Sequence, residues 1–292
     1  MSKKISIRFY KDHKVRAIWD EEHGQWYFSV LDIIGAINGQ DDHKKNRNYW
    51  KYLKAKMRRE QCEVVSDTTQ LKLVASDGKR YNTDVISLQG VEKLAKFIPN
   101  NQASAFLDWF KYSEHTIDGQ SRKKAYTLWE SNIVASRDVG NVKSLRQIHA
   151  YLFGGLYDFA GKIRTKTIAK GNTLFCLAEY LVENLKNIEQ MPETTFDEIV
   201  DKYVEMNMAH PFMEGNGRST RIWLDMIFKK RLKMCVDWSK IDKGEYLDAM
   251  IASHTDSSRI RELLRGALTD RIDDREIFMK GIDYSYYYEQ SE

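Results

Sequence analysis

The amino-acid sequence predicts a mostly α-helical protein in two parts. A small α+β part covers residues 1–112, and a helical part with one β-hairpin covers residues 113–292. Three observations carry this reading. In the second part Phe196, Ile199, Val200, Tyr203 and Val204, then Ile222, Trp223, Met226 and Ile227, repeat at helical spacing. β-type runs bounded by turn residues concentrate in the first hundred residues. A length of 292 residues gives each of two domains enough chain for its own core.

In the first part, residues 15–19 and 25–29 are β-type runs separated by Glu21-Glu22-His23-Gly24, and read as a hairpin. Residues 30–38 look helical. A second helix is expected over residues 46–60, with Tyr49, Leu53 and Met57 on one face. Residues 71–75 and 80–86 flank Asp77-Gly78, a hairpin turn signal. Leu88, Val91, Leu94, Ala95 and Ile98 then mark an amphipathic helix that stops at Pro99.

Composition narrows the function classes. Hydrophobic content of 42% with 12% aromatics indicates a folded, soluble protein. Cys62, Cys176 and Cys235 lie far apart, without the paired spacing of a zinc site or a disulfide framework. No apolar run approaches a membrane span, and the N-terminus leads into no signal-peptide core. A reducing cytoplasm, with no membrane partner, is the expected location. Residues 1–100 hold 19 Lys and Arg against 13 Asp and Glu, while the remainder holds 27 against 29. Only the first part is therefore suited to meeting a polyanion. Its cations cluster at positions 44, 45, 47, 51, 54, 56, 58 and 59, with Tyr49, Trp50 and Tyr52 interleaved and no acid.

Residues 113–118 are polar and form the joint, and a helix over about 121–130 opens the second part. Ser144 with Gln147 reads as the cap of a helix carrying Leu145, Ile148, Leu152, Phe153 and Leu156, ended by Gly161. Gly154 and Gly155 would lie inside it, at a cost of about 1 kcal/mol each relative to alanine. His149 reads as a core or capping histidine. Residues 165–175, centred on Lys170-Gly171-Asn172, read as a short β-hairpin.

The chemistry concentrates in His210-Pro211-Phe212-Met213-Glu214-Gly215-Asn216-Gly217-Arg218-Ser219-Thr220-Arg221. Thr195 with Glu198 makes a capping box for the preceding helix, and Pro211 disfavours helical geometry at His210. The imidazole is thereby left at a helix end. Gly215-Asn216-Gly217 permits positive φ and feeds a second helix, whose free N–H groups form an anion site. Arg218 and Arg221 sit three apart in its first turn, where cations are unfavourable unless an anion is present. The arrangement therefore expects a phosphate.

This string matches the Fic family signature H-P-F-x-[DE]-G-N-G-R-x-x-R at every defined position, and the resemblance extends over roughly residues 116 to 292. The run Ile148-His149-x-Tyr151-Leu152-Phe153…Tyr157-x-Phe159-Ala160-Gly161-x-Ile163-Arg164 resembles a further block of that family. The resemblance implies an all-helical Fic domain with a β-hairpin flap. It also implies transfer of AMP from ATP to a Tyr, Ser or Thr hydroxyl of a target protein, with pyrophosphate leaving. His210 would be the base and Glu214 the Mg2+ ligand. Gly215, Asn216, Gly217, Arg218 and Arg221 would hold the phosphates. Tyr157 and Tyr180 are candidates for the adenosine pocket, and each could equally be core. The target would pair with the flap near Lys170-Asn172.

Ser285-Tyr286-Tyr287-Tyr288-Glu289 resembles the inhibitory motif [ST]-x-x-x-E-[GN] of the self-inhibited class, with Gln290 where that motif has Gly or Asn. Glu289 would hold Arg221, and the short tail, which must dock to be helical, could be released. Tyr286 would then be the acceptor of self-modification. Gln25-Trp26-Tyr27-Phe28 with Asn48-Tyr49-Trp50-x-x-Leu53-Lys54 resembles the Bro-N domain of phage antirepressor and baculovirus-repeat proteins over about residues 3–112. That resemblance implies DNA contacts through Lys51, Lys54, Lys56, Arg58 and Arg59. Two other readings stay open: removal of AMP by the same residues, and a DNA-binding regulator whose Fic part only senses nucleotide. Homo-oligomers are expected for this class.

Overall fold

A computed structural model describes residues 5–60, 64, 67–75, 78–131, 138–171 and 173–290. Cys62, Asp77 and Asn172 lie outside the described residues. The chain divides into two compact units, with the division between Thr116 and Ile117.

Among the described residues, the first unit is a five-stranded antiparallel sheet in the order β1-β2-β3-β5-β4 with four α-helices. The strands are β1 (Ile5–Tyr10), β2 (His13–Asp20), β3 (Gln25–Ser29), β4 (Thr69–Val74) and β5 (Arg80–Ser87). The helices are α1 (Val30–Asn38), α2 (His43–Arg59), α3 (Leu88–Phe97) and α4 (Gln102–Tyr112). The β2–β3 hairpin places Ala17 opposite Phe28, and β4–β5 places Leu73 opposite Tyr81. Phe28, Ile33, Ile34, Leu53, Met57, Leu94, Phe106 and Phe110 share one core. Asp42 accepts from the N–H groups of Lys44 and Lys45, so α2 begins at His43, three residues before the expected start. β1 and α4 are additions to the elements read from the sequence. In β1 the polar positions Ser6 and Arg8 are buried along with Ile7 and Phe9, and Arg8 pairs with Glu114 at 2.8 Å. The half-buried alternation that marks a strand is missing there.

The second unit contains α5 (Ile117–Thr127), α6 (Val142–Phe153), β6 (Ala169–Lys170), β7 (Thr173–Leu174), α7 (Ala178–Gln190), α8 (Phe196–Ala209) and α9 (Asn216–Leu232). It continues with β8 (Cys235–Val236), α10 (Lys243–Ala252), α11 (Ser258–Ala267), β9 (Leu268–Thr269) and α12 (Arg275–Tyr287). β6 and β7 pair as the flap hairpin. A second pair, β8 with β9, means that the unit is not purely helical outside the flap. Two-residue strands carry too little pattern to be read from sequence.

Three local expectations are corrected. Asn141 caps α6, accepting from the Ser144 N–H at 2.7 Å, so the cap is Asn141 and not Ser144. The helix ends at Phe153 with Gly154 as its C-cap, and Gly155 takes φ +76, so this glycine pair stops the helix and is not inside it. The tail is no marginal element either, because α12 runs for 13 residues and buries Ile277, Met279, Ile282, Tyr284 and Tyr286. No helix among the described residues is long and apolar enough to cross a membrane.

Candidate active site

The capping box at Thr195 starts α8, and the helix stops at Ala209 with His210 in the left-handed conformation, φ +46. Nδ1 of His210 lies 3.0 Å from the Asn207 carbonyl. A carbonyl only accepts, so Nδ1 carries the proton and Nε2 is the unprotonated nitrogen. Burial pushes the imidazole pKa down to about 4, with the backbone bond to Asn207 opposing, so the ring is neutral at pH 7. Phe175, at the end of the flap, stacks on it with centroids 3.6 Å apart and planes 11° apart.

The loop after His210 is closed by its own residues. The Asn216 side-chain amide donates to the Phe212 carbonyl at 2.7 Å, and its oxygen accepts from the Phe212 N–H at 2.8 Å. That side chain is therefore spent on the loop. What α9 offers an anion is the backbone N–H groups of its first turn. Gly215 takes φ +80, and a Cβ there would fall on the Phe153 ring. Phe212 is buried and stacks on His149 at 3.8 Å. His149 is a strap: its Nδ1 accepts from the Gly161 N–H at 2.9 Å, so Nε2 donates to the Glu214 carbonyl at 2.8 Å. Burial lowers its pKa to about 4, which keeps it in this neutral form.

The two arginines do not face one common anion in this state. Arg218 is 3% exposed, bonded to Glu214 Oε1 at 2.9 Å and to Asp118 at the start of α5. Its guanidinium lies over the rings of Phe153 and Tyr286, at 5.0 and 5.5 Å. Asp118 precedes Arg218 by a hundred residues, and no local pattern could have announced the contact. Glu214 itself is exposed, with its carboxylate at the surface of the loop.

Arg221 is 2% exposed and gripped by the end of α12. Its Nε donates to Ser285 Oγ at 2.8 Å, and Nη2 donates to the Ser285 carbonyl at 2.7 Å and to Glu289 Oε1 at 2.6 Å. Nη1 reaches Tyr246 OH at 3.2 Å. Burial works against the Glu289 carboxylate, but Arg221 outweighs it and holds the pKa at about 2. Lys170 of the flap stands 3.6 Å from the other carboxylate oxygen. Gln290 raises no obstacle: its N–H and that of Glu289 bond three residues back, to Tyr287 and Tyr286. Among the described residues positive φ does not occur there, so the glycine of the motif is not required.

Tyr157 stacks on Phe159 at 4.6 Å and meets the Phe153 ring at a tilt, with centroids 5.4 Å apart. Tyr180 is 61% exposed on α7, so it is not part of an enclosed pocket wall in this conformation. Tyr286 is 3% exposed and Tyr288 2%, whereas Tyr287 is partly exposed. The choice of Tyr286 as acceptor is therefore corrected: its hydroxyl sits inside the packed end of α12.

In the first unit, α2 turns Lys51, Arg58 and Arg59 outward with Lys44, Lys45 and Arg47. Lys54 does not belong to that face, because it pairs with Asp84 at 3.1 Å and covers the Trp50 ring. Lys56 is partly buried, 6.0 Å from the Phe97 ring.

Two outcomes follow from the Arg221 contact. A Cβ on Gly217 would fall on Glu289 Oε1, while the helical backbone at 217 accepts alanine. In Gly217→Ala the amides of Glu289 and Gln290 should exchange faster than in the parent, with those of residues 277–286 still protected. Unchanged exchange would show that Glu289 is not seated there. Acid provides the second test. A carboxylate whose folded pKa is about 2, below its ordinary 4.5, stabilises docking above pH 4.5 and loses that contribution as pH falls toward 2. The same two amides should lose protection across that window.

The Fic/DOC family sequence model matches residues 140–228. The chain is 28% identical over 159 residues to the protein adenylyltransferase VbhT of Bartonella schoenbuchensis, covering 50% of this chain and 32% of that protein. It is 31% identical over 120 residues to the probable protein adenylyltransferase y4lH of Sinorhizobium fredii, covering 37% of this chain and 62% of that protein. The chain thus spans about a third and three-fifths of the length of these relatives. In structure it is similar to BepC of Bartonella tribocorum with bound AMPPNP, at TM-score 0.46 and 19% identity, over 56% of this chain and 89% of that one. The match places a Fic/DOC family domain at residues 140–228 of this chain.

Proposed function

We propose that the second unit transfers AMP from ATP to a hydroxyl of a protein and is held inactive by Glu289. The observation that carries the reading is the folded signature loop, with the His210 Nε2 base at the end of α8 and the α9 N-terminus beyond it. The names of VbhT, a protein adenylyltransferase, and y4lH, a probable one, support the same chemistry. The target hydroxyl oxygen attacks the α-phosphorus, its proton passes to Nε2, and the bond to the β-phosphate breaks. Backbone N–H groups of α9, with Arg218 and Arg221, take up the charge of the departing pyrophosphate. Glu214 suits Mg2+, which takes one or two carboxylates and completes its shell with phosphate oxygens and water. The ion would neutralise phosphate charge. Docking on the flap beside Lys170 would bring the target over His210. The pairing of Glu289 with Arg221 favours inhibition over a role in placing water for AMP removal.

For the first unit we propose a Bro-N-like domain that binds nucleic acid, supported by the outward cations of α2. Contacts of that kind go to phosphates and carry little sequence information.

Incubation with α-labelled ATP, Mg2+ and cell lysate tests the enzyme reading. Glu289→Gly should label protein faster than the parent. The double variant with His210→Ala should lose about 10²–10⁴-fold of that rate. Equal labelling by the double variant would refute the mechanism, and equal labelling by Glu289→Gly would refute the inhibition. If the chain labels itself, Tyr287 should carry the group before Tyr286, because it is the partly exposed one.

Lys51, Arg58 and Arg59 test the first unit. Neutralising all three should flatten the dependence of log K on log salt for a random duplex by about 2–3. No affinity of the parent at low salt would end the reading.

A further inference from the structure

We propose that Arg164 is a positioning residue that fixes the flap over His210 and holds His210 in its left-handed conformation. The inference rests on the transfer reading above. Arg164 is 4% exposed, outside the signature string, and follows the α6 glycines by a short loop. Its Nε donates to the His210 carbonyl at 2.7 Å, and Nη2 donates to the Ala209 carbonyl at 3.0 Å. Those two groups end α8, where carbonyls lack helical partners and the dipole favours a cation. On its other edge Nη1 donates to the Lys166 carbonyl at 2.6 Å, and Nη2 donates to the Cys176 carbonyl. Lys166 and Cys176 flank the flap hairpin on its two sides. The backbone N–H of Arg164 donates to the Pro211 carbonyl at 2.9 Å.

One planar fork thus joins both stems of the flap to the helix end that carries the base. The conformation it holds is not a relaxed one. A non-glycine residue at φ +46 is strained and persists only where its surroundings fix it. Phe175 shows the consequence: adjacent to Cys176, it is laid flat on the imidazole at 3.6 Å. The Cys176 N–H also bonds to the Met208 carbonyl at 3.1 Å, so α8 and the flap stem share two further atoms of contact. Displacing the stem would move Phe175 and any strand paired to the flap, leaving the α9 anion site where it is. A lysine could keep the charge but reach fewer of these carbonyls, because it lacks the fork.

The test compares Arg164→Lys and Arg164→Gln, both in the Glu289→Gly protein. Hydrogen exchange of the amides of residues 166–171 and 173–176 is read against those of α9, beside Mg–ATP binding by calorimetry and ATP-dependent labelling of the protein. Exchange of the flap amides should rise about tenfold in Arg164→Gln, with α9 unchanged. The labelling rate at saturating ATP should fall about a hundredfold in both variants, because displacement of the reacting groups by about 1 Å has that effect. ATP affinity should hold, and the lysine variant should recover thermal stability without recovering the rate. Labelling at the parent rate in the lysine variant overturns the proposal. So does a uniform rise in exchange across α9 and the flap, which would mark a merely structural role. If the glutamine variant does not fold, the lysine variant decides alone. A parent that neither binds ATP nor labels protein refutes the transfer reading, while the exchange comparison still judges the clamp.

Discussion

A buried guanidinium at the positive end of a helix is the constraint on which this active-site region depends. Arg221 is 2% exposed in the second turn of α9, near the positive end of that helix. Removing one partner of a buried ion pair typically costs about 3–5 kcal/mol, since the other charge is left uncompensated. The fold therefore requires an anion beside Arg221. In the present state Glu289 supplies it, with the Ser285 carbonyl and hydroxyl completing the fork. A triphosphate would meet the same requirement, and the two anions compete for one cation. On the proposed function, inhibition by Glu289 and binding of ATP would be two solutions to a single electrostatic problem.

Arg218 repeats the logic on its other flank. Its charge is met by Glu214, four residues earlier, and by Asp118 from α5. The Tyr286 ring of α12 covers the guanidinium at 5.5 Å. One helix therefore touches both arginines, Arg221 through its last turn and Arg218 through an aromatic face. Lys170 contributes less to holding Glu289 than the 3.6 Å separation suggests, because its side chain is 72% exposed and surface ion pairs are worth about 0–1 kcal/mol.

The sequence is most legible where the physics is local. The Thr195 capping box, the stop at His210, the positive φ of Gly215 and the hairpin of β2 with β3 all depend on neighbours within a few residues. Recognition of the Fic string rests on twelve consecutive positions. Long-range partners were not legible: Asp118 on Arg218, His149 on the Glu214 carbonyl and Arg164 on four carbonyls are set by packing. The same limit misassigned Lys54, whose charge looked solvated in sequence but pairs from α2 with Asp84 of β5. It also misplaced Tyr286, because a run of three tyrosines does not reveal which one points inward.

The burial of α12 decides what loss of Glu289 can do. Ile277, Met279, Ile282, Tyr284, Tyr286 and Tyr288 are each at most 6% exposed. Burying a large apolar side chain contributes about 1.5–3 kcal/mol, so the six together far exceed one ion pair. Tyr288 adds hydrogen bonds from its hydroxyl to the Trp238 and Ile241 carbonyls, both at 2.9 Å. Replacing Glu289 therefore frees Arg221 without undocking the helix. The tail is part of the core and ends in one carboxylate, so freeing Arg221 needs movement only beyond Tyr288. A nucleotide that displaces Glu289 accordingly works against a single turn and its ion pair, which lies within the range that phosphate contacts to two arginines can supply.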